Sequence, residues 1–245
     1  MSKVNFMCIG TQKAGTSSLP EYLNLHPDVS MKGEMHFFDK PRDQPLNEEM
    51  TVRYEQALAS EKRLRGEKTP SYMYLRHAMD RIAAYNPDMK LIVILREPVA
   101  RAYSQYNFDK ACGFIRSITW SFWRDLSRIV PLEKIDANGP HRIVRGFYDQ
   151  QLEYIFQRFP RENVHIAVSE EVRNDKQKEY GKIFDFLGAD ASSVKIDRAL
   201  DKNVGVYKSP IPAYMERKLE RIYAPHVERL YDILGYKIGA WERYG

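Results

Sequence analysis

A glycine-bounded loop near the start of the sequence has the spacing of a phosphate-binding site. Gly10 and Gly15 are separated by four residues, with Lys13 between them and with Thr16 and Ser17 directly after them. Glycines let backbone N–H groups converge on an anion, and the N-terminus of a following helix adds partial positive charge. The loop therefore predicts an anion site, and the alternative interpretation is a plain tight turn.

The residue types after Gly15 differ from those of a nucleoside triphosphatase. In such an enzyme the second glycine is followed by Lys and then by Ser or Thr, whereas here Thr16 and Ser17 follow and Lys13 lies inside the loop. The loop can still hold a phosphate through its backbone N–H groups and hydroxyls. The usual lysine and magnesium arrangement is not predicted.

A second candidate anion site follows the most apolar predicted strand, KLIVIL at residues 90–95. The strand ends in Arg96, where a kinase or GTPase typically has an aspartate that holds magnesium. An arginine fork binds phosphate in a bidentate manner and repels a metal ion. Ser104 lies two turns along the next predicted helix and can meet the same anion. The alternative for Arg96 is a salt bridge to Glu97 or to another acid.

The third candidate is an acid, Glu34, in the segment GEMHFFDK at residues 33–40. A carboxylate beside Phe37 and Phe38 is expected to be partly desolvated, which raises its pKa and suits a general base. The alternative is an ordinary surface acid, and His36 is the competing base. Two anion sites, one acid and no evident metal site fit a doubly phosphorylated nucleotide better than a triphosphate.

The elements that must position these residues alternate between strands and helices. Strands are predicted at residues 4–10, 29–31, 65–68, 90–95 and 164–168. Helices are predicted at 16–26, 47–60, 75–85, 99–110, 118–129, 144–159, 180–187 and 213–234, with Pro225 as a kink or break in the last one. The alternation predicts one α/β domain over residues 1–245, with a central, mainly parallel sheet and helices on both faces.

Composition restricts the class of protein further. The 245 residues carry a net charge of +5, which mildly favours anionic ligands, and no basic block with interleaved aromatics indicates nucleic acid. No apolar run reaches the roughly 20 residues of a membrane span. Two cysteines, Cys8 and Cys112, argue against a zinc site or a disulfide framework. Without an apolar leader, we expect a cytoplasmic protein.

Four segments of the sequence resemble those of the sulfotransferases that use 3′-phosphoadenosine 5′-phosphosulfate (PAPS), and especially the heparan sulfate sulfotransferase branch. They are IGTQKAGTSSLPEYLNLHPDV from Ile9, EMHFFD from Glu34, GEKTPSYMY from Gly66 and LIVILREPVARAYSQY from Leu91. The segments stand in the family's order within the first half of the chain, and the remainder matches loosely. Jointly they are specific, although each alone is not. The resemblance implies a PAPS-dependent sulfotransferase with a hydroxyl acceptor.

The resemblance also implies a role for individual residues. Glu34 corresponds to the catalytic base, Lys68 to a lysine near the sulfuryl group, and Lys13 to the lysine that neutralises charge on the departing phosphate. Because the transferred group carries one formal charge, no metal is expected. The implied nucleotide-binding residues are Lys13, Ala14, Gly15, Thr16, Ser17 and Ser18 at the 5′-phosphosulfate, Arg96 and Ser104 at the 3′-phosphate, and Tyr207 and Lys208 at the adenine or 3′-phosphate.

The sequence departs from that branch in its second half. The family often has a disulfide there, whereas Cys8 and Cys112 stand elsewhere. The expected acceptor is therefore a carbohydrate or a small molecule and need not be heparan sulfate. Two other functions stay open: a P-loop kinase-like phosphotransferase, on the glycine spacing alone, and a non-catalytic protein that binds sulfated glycans through a basic surface.

Overall fold

Five parallel strands form the centre of the molecule. The computed structural model describes residues 3–135, 139, 141–196, 200–202 and 209–244. Its strands are β1 (Phe6–Gly10), β2 (Val29–Lys32), β3 (Leu64–Lys68), β4 (Lys90–Leu95) and β5 (Val164–Val168). They lie in the order β2-β3-β1-β4-β5 and all pairs are parallel. The expected α/β fold with a parallel sheet is confirmed.

Both faces of the sheet are buried, as the unbroken apolar run of β4 predicts. Successive side chains of a strand point to opposite faces. Leu91, Val93 and Leu95 accordingly belong to the larger core cluster, which includes α-helical residues near the C-terminus, whereas Ile92 and Ile94 belong to the smaller one. Helices therefore cover the sheet on both sides.

The helices follow the strands in the predicted alternation. Within the described residues the α-helices are α1 (Leu19–Leu23), α2 (Glu48–Ala57), α3 (Arg76–Tyr85), α4 (Pro98–Ala111), α5 (Ile118–Leu126), α6 (Tyr148–Phe156), α7 (Ser169–Asn174), α8 (Lys176–Leu187) and α9 (Ala213–Leu234). The short α7, directly after β5, was not predicted. Helix α9 runs through Pro225 without a break, because its buried apolar side packs over its whole length.

The first predicted helix, residues 16–26, is shorter in the structure. Residues Thr16–Ser18 form a 3-10 turn and only Leu19–Leu23 are α-helical. The end is held by Asn24, whose amide nitrogen donates to the Met31 carbonyl at 2.9 Å and whose amide oxygen accepts from the Met31 N–H at 2.7 Å. Because these bonds join Asn24 to β2, the helix ends before residue 24.

The sheet order determines where a ligand site can lie. From β1 the chain runs to β2 and β3 on one side and then to β4 and β5 on the other. In open parallel sheets, ligands bind at the carboxyl ends of the strands where this direction changes, which here is between β1 and β4. No helix in the described ranges has both the length and the apolar character needed to cross a bilayer.

Candidate active site

The glycine-bounded loop lies at the carboxyl end of β1, beside β4. The Thr11 N–H donates to the Ile94 carbonyl at 3.0 Å, which joins the loop to the neighbouring strand. Lys13 and Gly15 have positive φ angles of 70° and 92°. Glycine adopts this left-handed conformation at little cost, but lysine does so rarely. The strained Lys13 backbone marks the loop as a functional candidate.

Arg96 lies across the crevice from this loop, at the end of β4. Its Nη1 donates to the Lys13 carbonyl at 2.8 Å, and its own carbonyl accepts from the Tyr148 hydroxyl at 2.8 Å. Its Nε is buried and has no hydrogen-bond partner among the described residues. The guanidinium lines a cavity of about 220 Å³. An anion in this cavity would satisfy the unpaired N–H.

Glu97 does not pair with Arg96 in the way the alternative interpretation requires. Its carboxylate instead caps α4, accepting from the Val99 N–H at 3.0 Å and the Ala100 N–H at 2.6 Å. The cap and Pro98 in the first turn start α4 directly after Arg96. Ser104, two turns on, is 2% exposed.

The candidate base, Glu34, lies in the loop after β2 and is held by two cationic partners. Lys68 Nζ, at the end of β3, donates to Glu34 Oε1 at 2.6 Å, and His36 Nε2 lies 3.1 Å from Glu34 Oε2. The expected desolvation by Phe37 and Phe38 is wrong. Both rings are buried in the core, whereas the Glu34 side chain is 40% exposed, because consecutive residues of this loop point in different directions.

His36 connects Glu34 to a second acid. Its Nδ1 lies 2.7 Å from Asp39 Oδ2, which also accepts from the Ser71 hydroxyl at 2.7 Å. Burial alone lowers the pKa of His36, but the hydrogen bond and charge of Asp39 and the charge of Glu34 outweigh burial, so its pKa is raised above 6.5. His36 also has a positive φ of 49°. Sequence reasoning missed Asp39, although it lies three residues after His36.

A buried carboxylate, Glu67, holds the loop that carries Glu34. It accepts from the Thr69 hydroxyl at 2.6 Å and from the Tyr72 hydroxyl at 2.8 Å. The Tyr72 oxygen in turn accepts the Phe37 N–H at 3.0 Å, and the Thr69 oxygen accepts the Met35 N–H at 3.1 Å. Burial outweighs the hydrogen bonds and raises the pKa of Glu67 to about 7.

Two further contacts shape the glycine-bounded loop, and neither was predicted. The Arg145 guanidinium donates to the Gln12 amide oxygen and stacks on the Tyr74 ring, 4.4 Å from its centroid. The Lys13 ammonium lies 3.8 Å from the centroid of the Phe108 ring. Phe108 is one turn beyond Ser104 on α4, so its spacing from Ser104 along that helix could have predicted that Phe108 lies near the loop.

The structure thus gathers the predicted residues into two groups at one end of the sheet. One is the loop of residues 13–18 with Arg96 and Ser104, and the other is Glu34 with Lys68. Ser18 is partly engaged already, because its hydroxyl accepts the Lys202 N–H at 2.8 Å. Tyr72 and Tyr106 are fully buried core residues. Tyr207 and Lys208 lie outside the described residues.

Comparison with known proteins gives consistent matches over most of the chain. A family model described as the sulfotransferase domain matches residues 4–205. Heparan sulfate glucosamine 3-O-sulfotransferase 6 from Homo sapiens is 31% identical over 257 aligned positions, which cover 95% of this chain and 72% of that protein. Its counterpart from Mus musculus is 30% identical over 260 positions, covering 96% and 73%.

Solved structures agree with this result. A sulfotransferase from Alicyclobacillus acidocaldarius superposes with a TM-score of 0.79 at 25% identity, covering 98% of this chain and 99% of the other. The sulfotransferase domain of the Synechococcus PCC 7002 olefin synthase superposes with a TM-score of 0.53 at 17% identity, covering 96% and 95%. The second likeness concerns the fold alone.

Proposed function

The chain belongs to the sulfotransferase family, and from that premise we propose that it moves the sulfuryl group of PAPS to a hydroxyl of a carbohydrate acceptor, with Glu34 as general base. The observation that carries this proposal is the Lys68–Glu34 contact of 2.6 Å at the same sheet end as the glycine-bounded loop. It supplies a base and a cation beside an anion site.

PAPS brings an activated sulfuryl group whose leaving group is a nucleotide phosphate. The residues of this chain fit such a donor. The loop of residues 13–18 offers backbone N–H groups, hydroxyls and the Lys13 ammonium to the 5′ end. Arg96, whose Nε has no hydrogen-bond partner among the described residues, offers its guanidinium to a second anion. Independence from metal ions stays a prediction.

Glu34 is placed to accept the proton of the attacking hydroxyl. Lys68 and His36 contact one oxygen of its carboxylate each, which orients the group. His36 is the weaker candidate for the base, because the Asp39 and Glu34 carboxylates raise its pKa and so favour the protonated ring, which cannot accept a proton. Lys68 and Lys13 would stabilise negative charge that develops on the transferred group and the leaving phosphate.

A carbohydrate acceptor is supported by the relatives, whose names specify heparan sulfate glucosamine. The side chains of Glu34 and His36 are 40% and 51% exposed, as a site for a hydroxylated substrate requires, and Lys68 lies buried behind them. The kinase-like and non-catalytic alternatives are not favoured by these comparisons. A cytoplasmic location stays a proposal.

The test is Glu34→Gln, which keeps the shape of the side chain but removes the base. We expect transfer of labelled sulfate from PAPS to a panel of oligosaccharides to fall at least about 100-fold, while calorimetry shows unchanged binding of the desulfated nucleotide. The control is Glu48→Gln, an exposed acid at the start of α2.

Full activity in Glu34→Gln would exclude Glu34 as the base. A wild-type protein that binds neither PAPS nor its desulfated product would contradict the whole proposal. Magnesium-dependent turnover of ATP would support the kinase-like alternative instead.

A further inference from the structure

Exposed apolar side chains are concentrated in one part of the surface. Most of the large hydrophobic residues that the structure leaves exposed lie in or against the segment of residues 108–129. We call this set the apolar patch: it consists of Phe108, Phe114, Trp120, Trp123, Ile129 and Tyr214. Phe114 and Trp120 are the most open, at 73% and 65% exposed. A local concentration of exposed apolar side chains marks an interaction site.

The patch is ordered by contacts among its own members. The Trp123 and Tyr214 rings stack with an interplanar angle of 4° and a centroid distance of 6.1 Å. The Tyr214 hydroxyl donates to the Thr119 hydroxyl at 2.9 Å, which joins the start of α9 to α5. The Arg124 guanidinium lies 5.0 Å from the Trp120 ring centroid. The aromatic surface is therefore supported by two helices.

The exposed charges of the segment that carries most of the patch have one sign. Residues 107–130 contain two acids, Asp109 and Asp125, and both are buried against the Arg142 guanidinium. The exposed basic residues of the same segment are Lys110, Arg116 and Arg128, whereas Arg124 is partly buried and contacts Asp125 at 3.4 Å. The sequence conceals this pattern, because in the unfolded chain the acids and bases are mixed.

We propose that the apolar patch and its basic rim dock this protein on the surface of a bilayer that contains anionic lipids. Trp120 and Trp123 lie on α5, Phe114 lies shortly before that helix, and arginine and lysine flank them. Exposed aromatic rings flanked by basic residues are features of interfacial binding. The aromatic rings insert at the headgroup level, and the cations pair with the negative surface. A buried acid pair and an exposed basic rim match an anionic surface and repel a cationic one.

Docking would place the candidate active site at the membrane. Phe108, the member of the patch that contacts Lys13 at 3.8 Å, joins the patch to the phosphate-binding loop. On the proposed sulfotransferase function, on which this extension rests, the acceptor hydroxyl is then carried by a membrane lipid, as in a glycolipid headgroup.

The experiment measures binding of the full chain to vesicles by co-sedimentation, using phosphatidylcholine alone and phosphatidylcholine with phosphatidylserine. Tryptophan fluorescence gives a second readout. Of the three tryptophans, Trp120 and Trp123 are in the patch and Trp241 is 1% exposed, so a blue shift reports insertion of the patch. We expect binding to the anionic vesicles, a blue shift, and weakening by salt.

Two paired variants test the two features separately. Arg116→Glu with Arg128→Glu should weaken binding to anionic vesicles roughly 25-fold or more, since each charge lost near the surface weakens it about fivefold. Phe114→Ser with Trp120→Ser should reduce binding at least as much. The matched controls are Lys178→Glu with Lys195→Glu, and Val52→Ser with Tyr236→Ser, all exposed residues elsewhere.

Equal binding to neutral and anionic vesicles, or none to either, would overturn the proposal. So would controls that lose as much binding as the patch variants. A dimer that becomes monomeric in the patch variants, without vesicle binding, would assign the patch to a second copy instead. Vesicle binding requires no nucleotide, so its loss leaves the sulfotransferase proposal intact, and failure to bind PAPS leaves vesicle docking intact.

Discussion

At the scale of single residues, Asp39 controls the charge of the His36 ring. Its carboxylate lies 2.7 Å from His36 Nδ1 and is 8% exposed. Asp39→Asn removes the negative charge, leaving burial to favour the neutral ring, so the pKa of His36 is expected to fall. An NMR titration of the imidazole signals measures this change.

Asp43→Asn is the control for that titration, because Asp43 is an exposed acid of the same loop region. It should leave the His36 titration where it is in the wild type. A His36 pKa that does not move in Asp39→Asn would mean that Glu34, and not Asp39, supports the protonated ring.

Glu67 gives stability a dependence on pH. Burial raises its pKa in the folded protein from 4.5 to about 7, so between these values the folded state binds a proton that the unfolded state has lost. The contribution of Glu67 to the free energy of unfolding is therefore present at low pH and decreases as pH rises from about 4.5 to 7. The full shift corresponds to on the order of 3 kcal/mol.

Glu67→Gln removes this titration. Urea unfolding at pH 5 and pH 7.5 should show a smaller loss of unfolding free energy with rising pH in Glu67→Gln than in the wild type. Glu133→Gln, at an exposed site, should behave as the wild type. A wild-type difference that Glu67→Gln reproduces in full would assign the pH dependence to other groups.

At the scale of elements, the close approach of β1 and β3 requires a glycine in β3. A Cβ at Gly66 would lie 2.5 Å from the Phe6 carbonyl oxygen and 2.6 Å from its ring, and both belong to the central strand. We expect Gly66→Ala to lower the unfolding free energy by about 1–3 kcal/mol. Urea unfolding of Gly33→Ala is the control, because a Cβ there meets no atom within 4 Å. Equal stability of the two variants would contradict the packing argument.

The sequence predicted the elements whose own residues decide their structure. The strand predictions at residues 90–95 and 164–168 coincide with β4 and β5, because both segments are short, mostly apolar and rich in Val and Ile, which favour strands. Helix α1 was predicted too long, since its end depends on Asn24 bonding to Met31 in another element. The residues around Asn24 in the sequence do not indicate such a contact with another element.

The same division holds for the candidate site. The loop with Lys13, and Arg96 at the end of β4, follow from strand and glycine patterns, because parallel strands bring their carboxyl ends to one edge. The roles of Glu67 and Arg145 do not follow. Glu67 acts on the distant loop of Met35 and Phe37 through Thr69 and Tyr72, and Arg145 bonds to the distant Gln12. The prediction that Phe37 and Phe38 desolvate Glu34 was wrong for a related reason, because side chains of neighbouring residues in an irregular loop point in different directions.

At the scale of the whole molecule, the candidate site joins separate parts of the chain. The Arg96 and Lys13 contact links the segments after β1 and β4, and the Tyr103 hydroxyl donates to the Ser209 carbonyl at 3.0 Å on the far side of the same cavity. A nucleotide bound there would contact several of these segments at once. Binding should therefore stabilise the entire fold rather than one loop.

The desulfated nucleotide is accordingly expected to raise the melting temperature. A ligand at 100 times its dissociation constant adds about 2.7 kcal/mol to the unfolding free energy, and for a chain of this size that corresponds to roughly 5–10 °C. Arg96→Ala should lose most of this shift, because it removes the guanidinium that lines the cavity. Arg173→Ala, in helix α7 after the neighbouring strand β5 and bonded to Ser169, should keep it. A shift of equal size in both variants would place the nucleotide away from Arg96. In calorimetry, a single unfolding transition whose midpoint temperature rises when the nucleotide binds would show that the site couples both sides of the sheet.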